Sequence, residues 1–270
     1  MDEMLLTAAE AARSAGDVII KAARRLSDVS YASKGRNDFV SETDTQAEQE
    51  IIRILRSTYP SHSILAEESG ALSGDGYEWI IDPLDGTTNF LHSYPCYGVS
   101  IALTRDGALE KAVVYDPTRP ELFTAARDHG SSLYGMKLQV SGRTRLEDSL
   151  LGTGFPFKCQ EHLPPYMKTF EALLTRSRGV RRAGAASLDL ASVAAGRLDG
   201  FWEIGLEPWD MAAGALLVRE AGGFVSDFAG GEDFLSEDFL STGNIVAGTP
   251  AVWEQILETI KPLLPGTLAR

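Results

Sequence analysis

One stretch constrains this chain more than any other. Trp79-Ile80-Ile81 is an apolar run that stops at Asp82-Pro83-Leu84-Asp85-Gly86-Thr87-Thr88-Asn89-Phe90. The run reads as a buried strand. Pro83 removes a backbone donor and stiffens the chain after it. Gly86 permits a sharp bend and close backbone approach. Thr87 and Thr88 offer hydroxyls and N–H groups at a helix N-terminus, a ready anion site. Two carboxylates this close cannot both stay ionised cheaply without a cation between them. Oxygen-only ligands suit Mg2+, Mn2+ or Ca2+ rather than zinc. Alone, an Asp-x-x-Asp pair fits an exposed turn with a helix cap better than a metal site. The strand before it and the Thr-Thr after it reverse that preference.

Two more acidic positions share the logic. Glu67-Glu68 follows the short apolar strand Ser63-Ile64-Leu65-Ala66, and Asp210 begins a helix over Trp209–Ala221. Each has an ordinary explanation, a solvated turn for the first and dipole stabilisation of about 0.3–1 kcal/mol for the second. A helix-start aspartate can ligate a metal as well.

The rest of the pattern predicts a mixed α and β chain. Apolar residues at helical spacing place one helix over 4–26 and a second that starts near Thr43 and is ended by Tyr59-Pro60, with Thr43-Asp44-Thr45-Gln46 as the capping box of the second and Ala47, Ile51 and Leu55 as its apolar stripe. Lys34-Gly35-Arg36-Asn37-Asp38 reads as a polar turn and 71–76 as a Gly-rich turn. Strands at 97–104, 110–115 and 121–126 suggest an antiparallel meander. The second half alternates strand and helix: strands at 149–154, 201–204, 224–226 and 244–247, helices at 166–178, 187–195, 209–221 and 250–264, with Ser187 as an N-cap. A boundary near 140–148 divides the chain into an N-terminal α+β half, 1–142, and a C-terminal α/β half, 143–270, that completes the same site.

Bulk properties exclude several classes. The 270 residues carry a formal net charge of −13, so most of the surface repels nucleic acid and anionic substrates alike. A phosphate ester would need local cations. No apolar run approaches the ~20 residues that span a bilayer. The N-terminus lacks a signal-peptide pattern, which makes the cytoplasm the expected location. Cys96 and Cys159 fit no metal spacing and read as buried or incidental thiols, and the four scattered histidines argue against a zinc hydrolase. Gly130–Lys137 has Met136 where a phosphate loop needs its lysine, so it reads as a turn between strands.

Asp82–Phe90, the later Trp209-Asp210-Met211-Ala212-Ala213-Gly214 with Glu220-Ala221-Gly222-Gly223, and Glu67-Glu68-Ser69-Gly70 together resemble the signatures of the inositol monophosphatase family. Gly154-Phe155-Pro156-Phe157 and Gly243–Gly248 are most similar to its bacterial branch. The resemblance spans essentially the whole chain. It implies a layered α-β-α-β-α sandwich of the metal-dependent sugar-phosphatase type. It implies Mg2+, two or three ions per site, held by Glu67, Asp82, Asp85, Asp210 and the carbonyl of Leu84. Gly86 and Thr87 would contact phosphate. Asp44 would act with Thr87 and Glu67 on the attacking water. Gly184, Ala185, Ala186 and Glu203 would hold the polyol, with Asp85 and Asp210 also facing substrate. Ala185 stands where many relatives carry Ser or Thr, so a hydroxyl contact is missing there. The implied activity is hydrolysis of a phosphate monoester, myo-inositol 1-phosphate above all. Fructose-bisphosphatases and nucleotide 3′-phosphatases share the metal core and are the nearer rivals. A homodimer, lithium sensitivity and, for the bacterial branch, contact with the transcription machinery are further implications. Arg181-Arg182 could attract phosphate or serve a subunit interface.

Overall fold

Side chains along the central strands enter two different cores in alternation, and that alternation dictates the layers. In a computed structural model describing residues 2–26, 29–35, 38–156, 159–231 and 237–268, Trp79 and Ile81 face one side of a sheet while Ile80 faces the other. Ile101 and Leu103 likewise oppose Ala102, and Val113 opposes Ala112 and Val114. A strand with both faces apolar must be covered twice.

The N-terminal part contains α1 (Glu3–Ala23), β1 (Tyr31–Gly35), β2 (Asp38–Ser41), α2 (Glu42–Thr58), β3 (His62–Ala66), β4 (Gly70–Leu72), β5 (Asp75–Asp85), α3 (Thr87–Leu91), β6 (Gly98–Arg105), β7 (Ala108–Asp116), β8 (Glu121–Ala126), β9 (Gly130–Leu133) and β10 (Met136–Lys137). The C-terminal part contains β11 (Leu150–Thr153), α4 (Leu163–Arg176), β12 (Gly179–Arg181), α5 (Ala186–Ala194), β13 (Gly200–Ile204), α6 (Pro208–Glu220), β14 (Phe224–Ser226), α7 (Glu237–Ser241), β15 (Asn244–Gly248) and α8 (Pro250–Ile260). An eight-stranded sheet runs β10-β9-β8-β7-β6-β5-β3-β4, and a five-stranded sheet runs β12-β11-β13-β15-β14. The expected meander is present as consecutive antiparallel pairs from β5 to β9.

Helices α1 and α2 cover one face of the large sheet. Helices α5 and α6 fill the space between the two sheets, and α4 and α8 cover the far face of the small one. The result is the five-layer α-β-α-β-α sandwich. Position in these layers explains composition. Helix α1 has one buried stripe, including Ala8, Ala12, Ala15 and Ile19, whereas α6 is buried from Met211 to Val218. A helix apolar on all sides belongs in the middle layer.

Four local expectations are corrected. The capping box of α2 begins at Ser41, whose hydroxyl and backbone N–H both reach Asp44, one turn into the helix. Residues 70–72 and 75–76 are strand, because β4 and the start of β5 pair with β3. Ser187 lies inside α5, whose N-cap is Ala185. Of the polar turn expected at 34–38, Lys34 and Gly35 end β1 and Asp38 begins β2, while Arg36 and Asn37, like Phe157, lie outside the described residues.

Candidate active site

The site begins with a register irregularity. In a regular strand, residues three apart point to opposite faces. Between Asp82 and Asp85 the pairing of β5 with β6 slips, so that Asp82 faces Ser100 and Asp85 faces Gly98. This is a bulge of one residue, placed where Pro83 could not have donated to the ladder anyway. It brings Asp82 and Asp85 to one side, where carboxylate oxygens of Asp82, Asp85 and Asp210 lie within 4.8 Å of one another.

The parallel β3–β5 pair supplies the next acid. Ala66 pairs with Ile81, so Glu67 emerges beside Asp82. Its turn is held from below by Glu48, a buried residue of α2 that accepts the N–H groups of Glu68 and Ser69 at 2.8 and 2.9 Å. Asp210 comes from the middle layer. The Ser100 hydroxyl donates to the Trp209 carbonyl at 2.9 Å, which fixes the start of α6 over β6, and Asp210 accepts the Glu207 N–H at 2.7 Å.

Asp82, Asp85 and Asp44 are each held by named donors. Asp82 accepts the Leu84 N–H at 2.9 Å. Asp85 accepts both the backbone N–H and the hydroxyl of Ser187, at 2.7 and 2.5 Å, so the residue expected to cap α5 instead fixes a site carboxylate. Asp44 sits fully buried behind the cavity and accepts the Thr87 hydroxyl at 2.8 Å. The same hydroxyl lies 3.1 Å from the Leu84 carbonyl. Gly86, at φ 93°, turns the chain into α3 in a conformation L side chains avoid, and a Cβ there would stand 2.9 Å from the Cys96 carbonyl. Asn89 ties this loop to the next one through its amide, which donates to the carbonyls of Cys96 and Ala183 at 2.7 and 2.9 Å.

These residues line a cavity of about 400 Å³, together with Gly184, Ala185, Ala186, Glu203 and Arg182. Every site residue expected from the sequence lines it except Asp44, which lies behind Thr87. Glu203 rests against Gly154, in space that any Cβ at that position would occupy. Six carboxyl-bearing side chains line the cavity, with Arg182 the only cation among the described residues. Electrostatics follow from that imbalance. Burial pushes Asp82 well above the usual carboxylate range, and Glu67, Asp85 and Asp210 push it further. Burial raises Asp85 as well, against the Ser187 donors that lower it. Glu203 is raised by burial and then by Asp210.

Glu48, Ser100, Asn89 and the Asp85-binding role of Ser187 were missed in the sequence. Asp189, a sixth wall carboxylate on α5, was also missed. Asn89 stands inside the Asp82–Phe90 stretch, yet it and the others act through partners at least seven residues away or through a place on the cavity wall. The two cysteines divide. Cys96 is buried, and its thiol is pushed up to about 12 by burial. Cys159 lies at the cavity wall, where it, Glu161 and His162 bring ligand-type atoms within 4.8 Å of one another, a grouping its spacing did not suggest.

Comparison with known proteins agrees with this architecture. The profile of the inositol monophosphatase family matches residues 1–264, and the chain belongs to that family. It is 53% identical to a Pseudomonas aeruginosa protein named Nus factor SuhB, over 100% of both chains. Among solved structures, the extragenic suppressor protein suhB of Bartonella henselae is 40% identical with a TM-score of 0.92, covering 96% of this chain and 99% of that one. An inositol monophosphatase from Anabaena is 37% identical with a TM-score of 0.84, covering 97% of each. Enzymes of this family are Mg2+-dependent phosphatases, and the acidic cluster here is of a kind that could hold such a metal. No described helix is long and apolar enough to cross a membrane.

Proposed function

We propose that this chain hydrolyses polyol phosphate monoesters, myo-inositol 1-phosphate in the first instance, with Glu67, Asp82, Asp85, Asp210 and the Leu84 carbonyl holding Mg2+. The observation that carries the reading is the convergence of Asp82, Asp85 and Asp210 within 4.8 Å, in a setting that resists the ionised form. Burying such a cluster is costly unless a cation compensates it. The donor set is all oxygen, which fits a hard divalent ion. When bound, Mg2+ supplies charge neutralisation for the phosphoryl oxygens and leaving alkoxide and a lowered pKa for water.

The chain's own residues supply orientation. The Thr87 hydroxyl has one proton, which it gives to Asp44 at 2.8 Å or to the Leu84 carbonyl at 3.1 Å. Its lone pairs are therefore left to accept a hydrogen bond from a water in the cavity. Glu67 accepts from the other side of that water. The N–H groups of Gly86 and of the first turn of α3 receive phosphate oxygens. Glu203, with Gly184, Ala185 and Ala186, binds the polyol. Ala185 offers no hydroxyl, so specificity rests on the carboxylates and backbone.

The test is phosphate release from myo-inositol 1-phosphate, glycerol 2-phosphate, fructose 1,6-bisphosphate and 3′-phosphoadenosine 5′-phosphate, with and without Mg2+. The first two should dominate and require the metal. Release without metal, or from no ester, overturns the reading. The halves 1–142 and 143–270 are proposed to fold only together, because α5 and α6 cover the inner face of the large sheet. A homodimer is also proposed, checked by sedimentation.

A second reading is favoured by one finding, the full-length similarity to a protein named Nus factor SuhB. In that reading the chain contacts the transcription machinery through protein surfaces rather than nucleic acid, independently of the site. Co-purification with RNA polymerase that persists in Asp82→Asn supports it, and failure of the wild type to co-purify removes it.

A further inference from the structure

Asp189 has no part in the scheme above, yet it occupies the site. It stands in the first turn of α5, 5% exposed, and lines the cavity. Asp44, Asp82 and Asp85 each accept hydrogen bonds from named donors. The Asp189 carboxyl accepts none and ion-pairs with none among the described residues. Its oxygens are not sealed off from the cavity, so they are open to a donor that a ligand brings.

The surroundings select the ligand's chemistry. Asp85 acts on Asp189 as a like charge and Arg182 as the opposite one, while Asp189 itself pushes Glu203 upward. A phosphate oxygen is repelled by such a position. The metal-type convergence comprises Asp82, Asp85 and Asp210 and does not include Asp189. A neutral donor is what remains, and a hydroxyl is the neutral donor that a polyol brings. Glu203, half-buried on the same wall, likewise has no hydrogen-bond donor among the described residues.

Resting on the polyol-phosphate reading, we infer that Asp189 is a specificity-determining residue which, with Glu203, receives the ring hydroxyls of the polyol remote from the phosphate. The ligand class is a cyclic polyol monophosphate with neighbouring free hydroxyls. Selectivity of this type comes from the site's own polar groups, which stay unpaired when a substrate lacks the hydroxyl.

The experiment compares wild type, Asp189→Ala and Asp189→Asn on myo-inositol 1-phosphate and p-nitrophenyl phosphate at saturating Mg2+. In Asp189→Ala the ratio of kcat/KM for the polyol ester over the aryl ester falls roughly ten- to hundredfold. The fall lies mainly in KM, and Asp189→Asn, which keeps an acceptor oxygen, restores part of it. Product inhibition by free myo-inositol weakens in Asp189→Ala relative to inhibition by inorganic phosphate. A ratio within twofold of wild type in both variants overturns the inference and leaves the phosphatase reading standing. Wild type inactive on both esters overturns the phosphatase reading and this one with it. Should Asp189→Ala fail to fold, a wild-type ratio in Asp189→Asn together with unchanged inhibition by myo-inositol is the refuting result.

Discussion

Asp82→Asn separates the cost of the acidic cluster from its use. The substitution keeps the Oδ1 atom that accepts the Leu84 N–H at 2.9 Å, so the bulge at Pro83 retains its internal hydrogen bond. The new amide group donates toward a wall rich in carboxylates. What disappears is one ionisable group among three that meet within 4.8 Å. Two unit charges at 4.8 Å repel by about 3.5 kcal/mol at an effective dielectric of about 20. Asp82 has two such neighbours in Asp85 and Asp210, with Glu67 beside them. Burial and these neighbours push the Asp82 pKa well above the usual carboxylate range, so the folded chain keeps that proton to higher pH than the unfolded chain does. Between the unfolded value near 4 and that raised value, the folded chain binds more protons than the unfolded one. Metal-free stability therefore falls as pH rises through this window. Asp82→Asn removes its share of the fall.

Two measurements follow. In EDTA at pH 7, the variant should melt at or above wild type, by about 2–4 °C for each kcal/mol of relieved repulsion in a chain of this size. Mg2+ at a hundred times its dissociation constant should stabilise wild type by about 2.7 kcal/mol, or roughly 5–10 °C, and should leave the variant unmoved. Calorimetry with and without Mg2+ reads both, alongside loss of phosphate release in the variant. A variant that melts below wild type in EDTA and still gains stability from Mg2+ would refute the account, since Asp82 would then be neither a burden without metal nor a ligand with it.

Thr87→Val removes the hydroxyl held by Asp44 but no proposed metal ligand, so kcat should drop about 10²-fold or more while the Mg2+-induced rise in Tm persists. Ser187→Ala deletes the 2.5 Å donor to Asp85 and leaves the backbone one, and a titration of phosphate release against Mg2+ should show affinity weakened about 10–100-fold. His62 is buried and stacked between Tyr59 and Tyr77, and burial holds its pKa below the usual value of 6.5. The unfolded chain takes up that proton first, so stability should fall as pH drops below about 6.5, and the Tm of His62→Phe should be less acid-sensitive than that of wild type over pH 5–7.

What the sequence disclosed was local. The strand ending at Asp82, the bend at Gly86 and the start of α3 at Thr87 depend on neighbouring residues, and all are legible in one stretch. Long-range dependence is what hid the rest. Ser187 has the side chain of an N-cap, but its hydroxyl finds Asp85, 102 residues away, and a propensity argument cannot see that partner. Glu48 looks like a solvent-facing helix residue until the Glu67–Ser69 turn folds over it. Ser100 alternates correctly for a strand, yet its purpose lies in the Trp209 carbonyl. The Ser41–Asp44 box was readable in principle, and Thr43 was the wrong cap because both residue types suit the role.

The layering explains why a site of this charge is assembled from separated segments. Carboxylates on one mobile loop could relieve their repulsion by moving apart. Here each one is pinned by a different layer: Glu67, Asp82 and Asp85 at the ends of the large sheet's strands, Asp210 and Ser187 on the helices between the sheets, and Glu203 on the small sheet. Pinning prevents the cluster from relieving its repulsion by moving, so relief must come from protons or from cations. At a net charge of −13, the field beyond the cavity also opposes an incoming phosphate. Both effects act in the same direction. Under the proposed function a divalent cation relieves the repulsion within this wall, the all-oxygen donor set favours a hard one, and a wall so loaded can receive a dianionic ester.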